Sequence, residues 1–138
     1  MILVDTSGLI AAYDRDDRHH QGAVQALSNP QPKILSPFVL AELDYLLSEQ
    51  IGHQASIRLL EDVERGAFEL AQFSATDVST ALHLIRRYAG LQIGLADASL
   101  VVLAERFECR TILTLDQRHF RTIVTRGGAP FRLLPFDG

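Results

Sequence analysis

The chain opens with MILVDTS, residues 1 to 7, in which a run of large apolar residues leads directly into a carboxylate and two hydroxyls. Ile and Val favour the enclosed geometry of a central parallel strand. In open α/β sheets, ligands bind just beyond the carboxyl ends of such strands. We therefore predict a buried strand that delivers Asp5 to a polar site, and a helix over residues 8–13 that Thr6 and Ser7 cap. A single Asp in this position can also begin a turn, so the interpretation depends on further carboxylates.

Length and cysteine content favour one compact unit. A chain of 138 residues can bury most of its apolar side chains without disulfides, and we expect residues 1–138 to form a single domain. The lone Cys109 permits neither an intramolecular disulfide nor a cysteine metal cluster, which is typical of a reducing cytosol. No segment approaches the ~20 apolar residues of a membrane helix. We therefore expect a cytoplasmic protein without membrane association.

The charge distribution is uneven. The net charge of −4 argues against indiscriminate binding of nucleic acid through a basic surface. Residues 1–69 contain five basic and eleven acidic side chains, whereas residues 70–138 contain eight basic and six acidic ones. Every basic residue except Lys33 is Arg, whose planar fork suits phosphate recognition. The carboxyl-terminal half could therefore contact phosphates, although solvated surface arginines explain the same pattern.

Strand and helix signals alternate along the chain. Strands are predicted near residues 1–4, 33–36, 67–73, 111–116 and 131–136, and helices near 8–13, 20–27, 37–51, 53–65, 75–89 and 93–104. Ser36 before Pro37 marks one helix start, and Ser74 with Asp77 has the spacing of a capping box. Such alternation implies right-handed crossovers between parallel strands. The predicted fold is a three-layer α/β/α sandwich with a central, mainly parallel sheet of four or five strands.

Two carboxylates fall within apolar helical segments. All of the side chains that Glu42 meets three and four positions away on its helix are apolar, whereas Asp44 could face outward more easily. Those neighbours of Glu42 are Phe38, Val39, Tyr45 and Leu46. Asp97 is the only charge in residues 93–104 and has no basic partner on its own helix. Burying its ionised form would be costly unless something neutralised it.

The fourth carboxylate repeats the pattern of the first. TILTLD, residues 111–116, is an apolar strand that ends on Asp116. The carboxyl ends of parallel strands lie on the same edge of a sheet, so Asp5 and Asp116 should be near each other. Glu42 and Asp97 are each near a helix amino terminus and can reach the same edge. The sequence therefore predicts that four distant acids converge.

Converging carboxylates require a counterion. Four of them cannot all stay ionised in a bare pocket, because like charges raise one another's pKa values. Oxygen ligands without cysteine indicate a hard ion, Mg²⁺ or Mn²⁺. Such a site suits phosphodiester cleavage by an activated water, with Thr6 or Ser7 positioning that water or a phosphate oxygen. Six arginines between Arg106 and Arg132 could add phosphate contacts, or could simply face solvent.

Four segments together resemble a known family. They are LVDTSGLIA (3–11), SPFVLAELDYLL (36–47), GLADASLVVLAE (94–105) and TILTLDQRHF (111–120). In this order they resemble the PIN domain, and most closely the VapC-type ribonuclease toxins of bacterial toxin–antitoxin pairs. The resemblance covers nearly the whole chain, and the ordered set is far more specific than any one motif.

The resemblance implies a function and a set of site residues. It implies a Mg²⁺-dependent endoribonuclease that cleaves structured RNA such as transfer or ribosomal RNA. It further implies a homodimer that a small cognate VapB-like antitoxin inhibits by covering the site. Carried over by position, the acidic quartet is Asp5, Glu42, Asp97 and Asp116, accompanied by the hydroxyl of Ser7 or Thr6. His119 and Phe120 match the pattern after the last acidic strand and are interpreted as structural.

Two other hypotheses belong to different functional classes. The acidic net charge and the apolar helix over residues 37–51 are compatible with a PIN-fold module that binds a protein and cleaves nothing. A receiver-like phosphoryl-transfer domain also clusters carboxylates at strand ends. The latter fits poorly, because the only lysine, Lys33, occurs early in the chain and no second aspartate accompanies Asp5.

Overall fold

The computed structural model describes every residue from Met1 to Gly138 and alternates strands with helices. The strands are β1 (Ile2–Val4), β2 (Lys33–Leu35), β3 (Glu69–Leu70), β4 (Thr111–Leu113) and β5 (Arg132–Leu134). The helices are α1 (Thr6–Tyr13), α2 (His20–Ser28), α3 (Pro37–Gln50), α4 (His53–Glu64), α5 (Ala75–Arg87), α6 (Leu95–Phe107) and α7 (Gln117–Phe120), with a 3₁₀ turn at Ala89–Leu91.

The five strands form one sheet in the order β3-β2-β1-β4-β5, and every pairing is parallel. In the central strand, Val4 lies opposite Leu35 of β2 and Leu113 of β4. The chain winds outward from β1 through β2 to β3, then crosses over β1 to add β4 and β5. The strand order therefore reverses between β1 and β4, and a crevice opens at the carboxyl ends of these two strands.

The central strands are buried on both faces. Ile2, Leu3 and Val4 are all 0% exposed, as are Ile112 and Leu113 of β4. Successive side chains of a strand point to opposite faces of the sheet, so helices must cover both of them. This confirms the three-layer α/β/α prediction and explains why these strands consist of continuous apolar residues instead of an alternating pattern.

Two predicted helix starts are confirmed in atomic detail. The Ser36 hydroxyl accepts a hydrogen bond of 3.1 Å from the backbone N–H of Phe38, at the start of α3. Ser74 and Asp77 form both reciprocal bonds of a capping box at the start of α5, so Asp serves in place of the longer Glu. The longest helix has 14 residues, and none combines the length and apolar character needed to cross a bilayer.

Three local predictions were wrong. Helix α1 begins at Thr6, so Thr6 and Ser7 lie in its first turn and Asp5 occupies the capping position. The strand predicted over residues 67–73 is reduced to Glu69–Leu70, because it lies at the sheet edge and pairs only with β2. The helix predicted over residues 75–89 ends at Arg87, and a 3₁₀ turn at Ala89–Leu91 follows it.

Helix α1 packs unusually close to β4 at Gly8. A Cβ placed on Gly8 would lie 2.6 Å from both the Cγ atom and the backbone oxygen of Leu113. The backbone oxygen cannot move without disturbing the sheet. The absence of a side chain at Gly8 therefore allows α1 to begin immediately after β1, beside the end of β4.

We expect Gly8→Ala to destabilise the protein by about 1–3 kcal/mol, because overpacking forces backbone shifts of this cost. Chemical denaturation would measure the free energy of unfolding. Gly90→Ala is the matched control, since a Cβ there meets nothing within 4 Å. Equal stability of the two variants would contradict the close packing of α1 on β4.

Candidate active site

The four predicted carboxylates line one cleft at the carboxyl ends of β1 and β4. The cleft has a volume of about 360 Å³, and both candidate hydroxyls also line it. Its polar lining consists of Asp5, Thr6, Ser7, Glu42, Asp97 and Asp116. The fold thus brings together all six residues singled out from the sequence, although they span more than a hundred positions of the chain.

Asp5 is the most enclosed of the four acids. It is only 5% exposed, and it directly follows the central strand. Its Oδ2 atom accepts a hydrogen bond of 2.7 Å from the Thr114 hydroxyl and one of 3.3 Å from the Ser7 hydroxyl. The Thr114 bond ties the carboxylate to the segment that follows β4, and the Ser7 bond ties it to the first turn of α1. Asp5 is therefore held rigidly at the floor of the cleft.

Thr114 links two of the acids and was missed by sequence reasoning. Its hydroxyl donates to Asp5 and accepts a 3.0 Å bond from the backbone N–H of Asp116. The Ser7 hydroxyl similarly accepts a 2.9 Å bond from the backbone N–H of Leu115. β4 ends at Leu113, before the predicted end at Asp116, so these residues form a turn. The signal available in the sequence was a Thr in an apolar strand segment, two positions before Asp116.

His119 contacts two carboxylates at once. Its Nδ1 atom lies 3.0 Å from Oδ2 of Asp97 and 2.9 Å from Oδ2 of Asp116. The ligand atoms of these three residues all lie within 4.8 Å of one another. Asp97 lacks a basic partner on its own helix, as predicted, but α7 supplies one from a distant part of the chain. The interpretation of His119 as purely structural was thus incomplete, whereas Phe120 is indeed a core residue at 1% exposure.

The environments of Glu42 and Asp44 are the reverse of those that the sequence indicated. Glu42 is exposed although its helical neighbours are apolar, because Tyr45, three residues on, is itself 64% exposed. Asp44 is partly buried and accepts a hydrogen bond from the Ser56 hydroxyl of α4. The apolar neighbours of Glu42 thus lie at the boundary between core and surface, since Val39 is fully buried and Tyr45 is exposed, and Glu42 itself lies at the rim of the cleft.

Burial and nearby charges shift the pKa values of Asp5 and Asp97. Loss of solvation is the largest cause and, together with the charges of Asp97 and Asp116, raises the pKa of Asp5 to about 7 despite the lowering effect of the Thr114 bond. Burial also raises the pKa of Asp97, and the interaction with His119 only partly offsets this. Without an added positive charge, the cleft favours the protonated forms of Asp5 and Asp97.

The residues of the cleft fit a divalent cation. Carboxylate oxygens are the ligands that hard cations prefer, and a cation would reverse the repulsion that raises these pKa values. The Thr6 hydroxyl, in a residue only 5% exposed, has no hydrogen-bond partner within the protein. Buried hydroxyls are rarely left unpaired, so this group points to a ligand or a bound water in the cleft.

The arginines lie elsewhere. None of the six between Arg106 and Arg132 lines the acidic cleft. Arg106 pairs with Asp77, and Arg121 pairs with Asp137. Arg110 precedes β4 and Arg132 begins β5, so both lie at the amino ends of the strands, whereas the cleft is at their carboxyl ends. Most of these arginines are therefore better explained as solvated surface residues. The cleft itself contains no arginine that could contact a phosphate beside the acids.

The sequence matches the family model described as PIN domain over residues 2–124. The chain belongs to the PIN domain family. Ribonuclease VapC26 of Mycobacterium tuberculosis is 38% identical over 135 residues, which cover 97% of this chain and 100% of that protein. The match thus runs through all four acidic segments.

Solved structures with the same fold are similar in shape but distant in sequence. VapC20 of M. tuberculosis, a toxin that cleaves the Sarcin-Ricin loop, matches with a TM-score of 0.78 at 22% identity over 84% of this chain and 90% of that one. VapBC2 of Rickettsia felis, bound to a DNA fragment from its promoter, gives 0.68 at 22% identity over 96% and 98%. FitAcB of Neisseria gonorrhoeae gives 0.61 at 24% identity over 85% and 88%. These structures show that the PIN fold is shared.

The raised pKa of Asp5 makes the stability of the metal-free protein depend on pH. Between about pH 4 and 7 the folded state holds a proton that the unfolded chain has released, so the free energy of unfolding falls as pH rises. Asn cannot ionise. We expect the stability of Asp5→Asn relative to wild type to rise by up to about 4 kcal/mol between pH 4 and pH 8.

Denaturation in the presence of a chelator would measure this difference at both pH values. Asp16→Asn is the control, because Asp16 is exposed and its carboxylate makes no hydrogen bond. A relative stability of Asp5→Asn that stays constant across the range would show that burial does not raise the pKa of Asp5.

Proposed function

We propose that this protein is a metal-dependent endoribonuclease and the toxin component of a VapBC-type toxin–antitoxin pair. The observation that carries the proposal is the convergence of Asp5, Glu42, Asp97 and Asp116 in one cleft that no Lys or Arg lines. Such an arrangement is electrostatically unfavourable unless a cation binds. The similarity to Ribonuclease VapC26 along nearly the whole chain supports the same activity.

We assign the cation as Mg²⁺ or Mn²⁺, held by Asp5, Asp97 and Asp116, with Glu42 completing the acidic set. When bound, such an ion supplies an acidified water as nucleophile and neutralises charge that builds up on the phosphate. The enclosed Asp5 keeps its orientation through Thr114 and Ser7. Glu42 is the exposed member, so it is the carboxylate best placed to exchange a proton with solvent during turnover.

The two candidate hydroxyls have different roles. Ser7 is occupied, since it donates to Asp5 and accepts from the backbone N–H of Leu115. Thr6 has no partner, although it is buried at the cleft. We therefore assign Ser7 to holding Asp5 in place and Thr6 to binding a phosphate oxygen or the attacking water. Removal of the Thr6 hydroxyl should affect catalysis more than folding.

The substrate we propose is structured cellular RNA, of the transfer or ribosomal class. The VapC20 toxin, which shares the fold, cleaves the Sarcin-Ricin loop. The cleft is short and acidic, so RNA must be held mainly by surfaces around it. Arg118 is exposed on α7, two residues after Asp116, and is the arginine nearest in sequence to the acids.

We propose two protein partners, a cognate VapB-like antitoxin and a second copy of the chain. VapBC2 is a toxin–antitoxin complex with the same fold. Apolar side chains on α3, α4 and α5 are exposed and suit protein contacts. They include Tyr45, Leu60, Val78 and Leu82. An antitoxin segment that covered the cleft would contact Tyr45, because this residue lies one turn after Glu42.

We further propose that residues 1–138 act as one domain in the cytoplasm. Thirty buried apolar residues form a single cluster that includes residues of β1, β2 and β4 and of helices α1 to α6. A chain with one continuous core behaves as one folding unit. Its proposed RNA substrate and antitoxin would both be found in the cytoplasm.

The nuclease activity can be tested with carboxylate variants of the purified protein. We expect Asp97→Asn and Glu42→Gln to lower the rate of RNA cleavage with Mg²⁺ or Mn²⁺ by at least about 100-fold, since each removes a charge from the site. EDTA should abolish cleavage. Glu49→Gln is the matched control for Glu42, because Glu49 is exposed on the same helix and does not line the cleft.

The outcomes separate the enzyme from the alternative of a non-catalytic binding module. Equal cleavage by the wild type and Asp97→Asn would show that the acidic cleft is not the source of activity. Tight binding of an antitoxin without metal-stimulated cleavage of any RNA would instead favour the binding module.

The toxin role predicts a growth phenotype. Induced expression of the wild-type protein in bacteria should arrest growth. Expression of Asp97→Asn, which lacks one carboxylate of the cleft, should not. Co-expression of the small reading frame that neighbours the gene should restore growth if it encodes the antitoxin. Sequencing of RNA ends after induction would identify the cleaved RNA, and unchanged RNA ends during growth arrest would contradict the proposal.

A further inference from the structure

We propose that His119 is a nitrogen ligand of the cation in the acidic cleft and that it makes this site favour Mn²⁺ over Mg²⁺. The inference rests on the proposed function, because it concerns the same cation site. It departs from the all-oxygen ligand set inferred from the sequence. It also assigns a chemical role to a side chain that the sequence motifs suggested was structural.

The first argument is the position of the Nδ1 atom of His119. This atom lies 3.0 Å from Oδ2 of Asp97 and 2.9 Å from Oδ2 of Asp116. Adjacent ligands of an octahedral ion, each about 2.1 Å from the metal, are about 3.0 Å apart. The Nδ1 atom therefore lies at the spacing of a neighbouring ligand from each carboxylate oxygen, and the ligand atoms of all three residues lie within 4.8 Å of one another.

The second argument concerns the other ring nitrogen. Nε2 of His119 lies 3.1 Å from the backbone oxygen of Leu91. A carbonyl oxygen can only accept, so Nε2 carries the hydrogen and a neutral ring presents its lone pair at Nδ1. Histidines that bind metals almost always donate their second N–H to a carbonyl or carboxylate in this way. The contact with Leu91 is thus the support that a ligating histidine requires.

The third argument is that the ring is held in place from two sides. The backbone N–H of His119 donates a 3.0 Å bond to Oδ1 of Asp116, which fixes the start of α7. Leu91 belongs to the 3₁₀ turn before α6, the helix that carries Asp97. The side chain of His119 is only 17% exposed. Little reorganisation is therefore needed for the ring to act as a ligand.

An independent observation indicates that this cleft holds a ligand. Thr6 lines the same cleft and is only 5% exposed, yet its hydroxyl has no hydrogen-bond partner within the protein. This hydroxyl forms no hydrogen bond with His119 or with any of the acids. A bound ion with its water molecules would provide the missing hydrogen-bond partner.

A competing interpretation gives His119 a purely structural role. A protonated ring would donate from both nitrogens and would link Asp97 to Asp116 as an ion pair. In that case the ring competes with a cation for the carboxylates, and its removal strengthens the binding of every divalent ion alike. If the ring is instead a ligand of the ion, its removal weakens binding. The loss is then larger for Mn²⁺ than for Mg²⁺, because imidazole suits transition metals whereas Mg²⁺ prefers oxygen.

The experiment uses the full chain freed of metal, with Mn²⁺ and Mg²⁺ as probes and no RNA. Electron paramagnetic resonance would measure Mn²⁺ affinity, and competition would measure Mg²⁺ affinity. Spin-echo modulation on bound Mn²⁺ would detect a coordinated nitrogen. We expect nitrogen coupling in the wild type, altered when histidine is labelled with ¹⁵N. Because the labelled wild type needs no substitution, this readout does not depend on the folding of a variant.

In His119→Gln we expect the nitrogen coupling to vanish and Mn²⁺ affinity to fall about tenfold or more, with a smaller change for Mg²⁺. Gln keeps an amide that can reach Leu91 but removes the ring nitrogen at the carboxylates. His83→Gln is the matched control, because His83 is exposed on α5 and does not line the cleft. It should retain both the coupling and the affinities.

Two results would overturn the assignment of His119 while leaving the nuclease proposal intact. One is tight Mn²⁺ binding by the wild type without nitrogen coupling. The other is stronger and equal binding of both ions by His119→Gln, as the ion pair requires. If the wild type bound neither ion, and Asp97→Asn behaved identically, the metal-dependent function would fail together with the ligand assignment.

Discussion

The parallel pairing of β1 with β4 is the constraint on which the rest of this structure depends. Val4 lies opposite Leu113, so the residues that follow the two strands emerge side by side where the strand order reverses. Gly8 lets α1 begin at this point without colliding with Leu113. Asp5 and Thr114 can therefore form a short hydrogen bond across 109 positions of the chain. Helices α3 and α6 contribute Glu42 and Asp97 to the crevice that this strand pairing forms.

The same geometry creates an electrostatic problem that the protein solves only in part. Burial raises the pKa values of Asp5 and Asp97, and the charges of the neighbouring acids raise both pKa values as well. Thr114 and His119 offset some of this cost. Proteins commonly accept local instability of this kind at a functional site, where a ligand removes it. A cation in the cleft would thus be as much a stabilising component of the fold as a catalytic one.

The histidine and the two hydroxyls show how neighbouring residues of one motif acquire different tasks. Ser7 is occupied by Asp5 and the Leu115 backbone, whereas Thr6 remains unpaired beside it. His119 lies three residues after Asp116, on the same turn of helix, and so reaches the acid from α6 as well. An i, i+3 spacing in TILTLDQRHF permits this contact but does not require it. Whether a side chain binds a ligand, orients another residue or only packs in the core depends on groups from other segments of the chain.

The sequence by itself determined the layers of the fold and the parallel sheet, and it singled out the four acids that the fold brings into one cleft. Apolar strand runs, helix caps and isolated carboxylates are local signals, and alternating strands and helices admit few topologies. The sequence could not determine that Glu42 is exposed and Asp44 partly buried, that Thr114 connects Asp5 to Asp116, or that His119 joins Asp97. These depend on contacts between segments far apart in the chain, whose distances and burial exist only once the whole fold has formed.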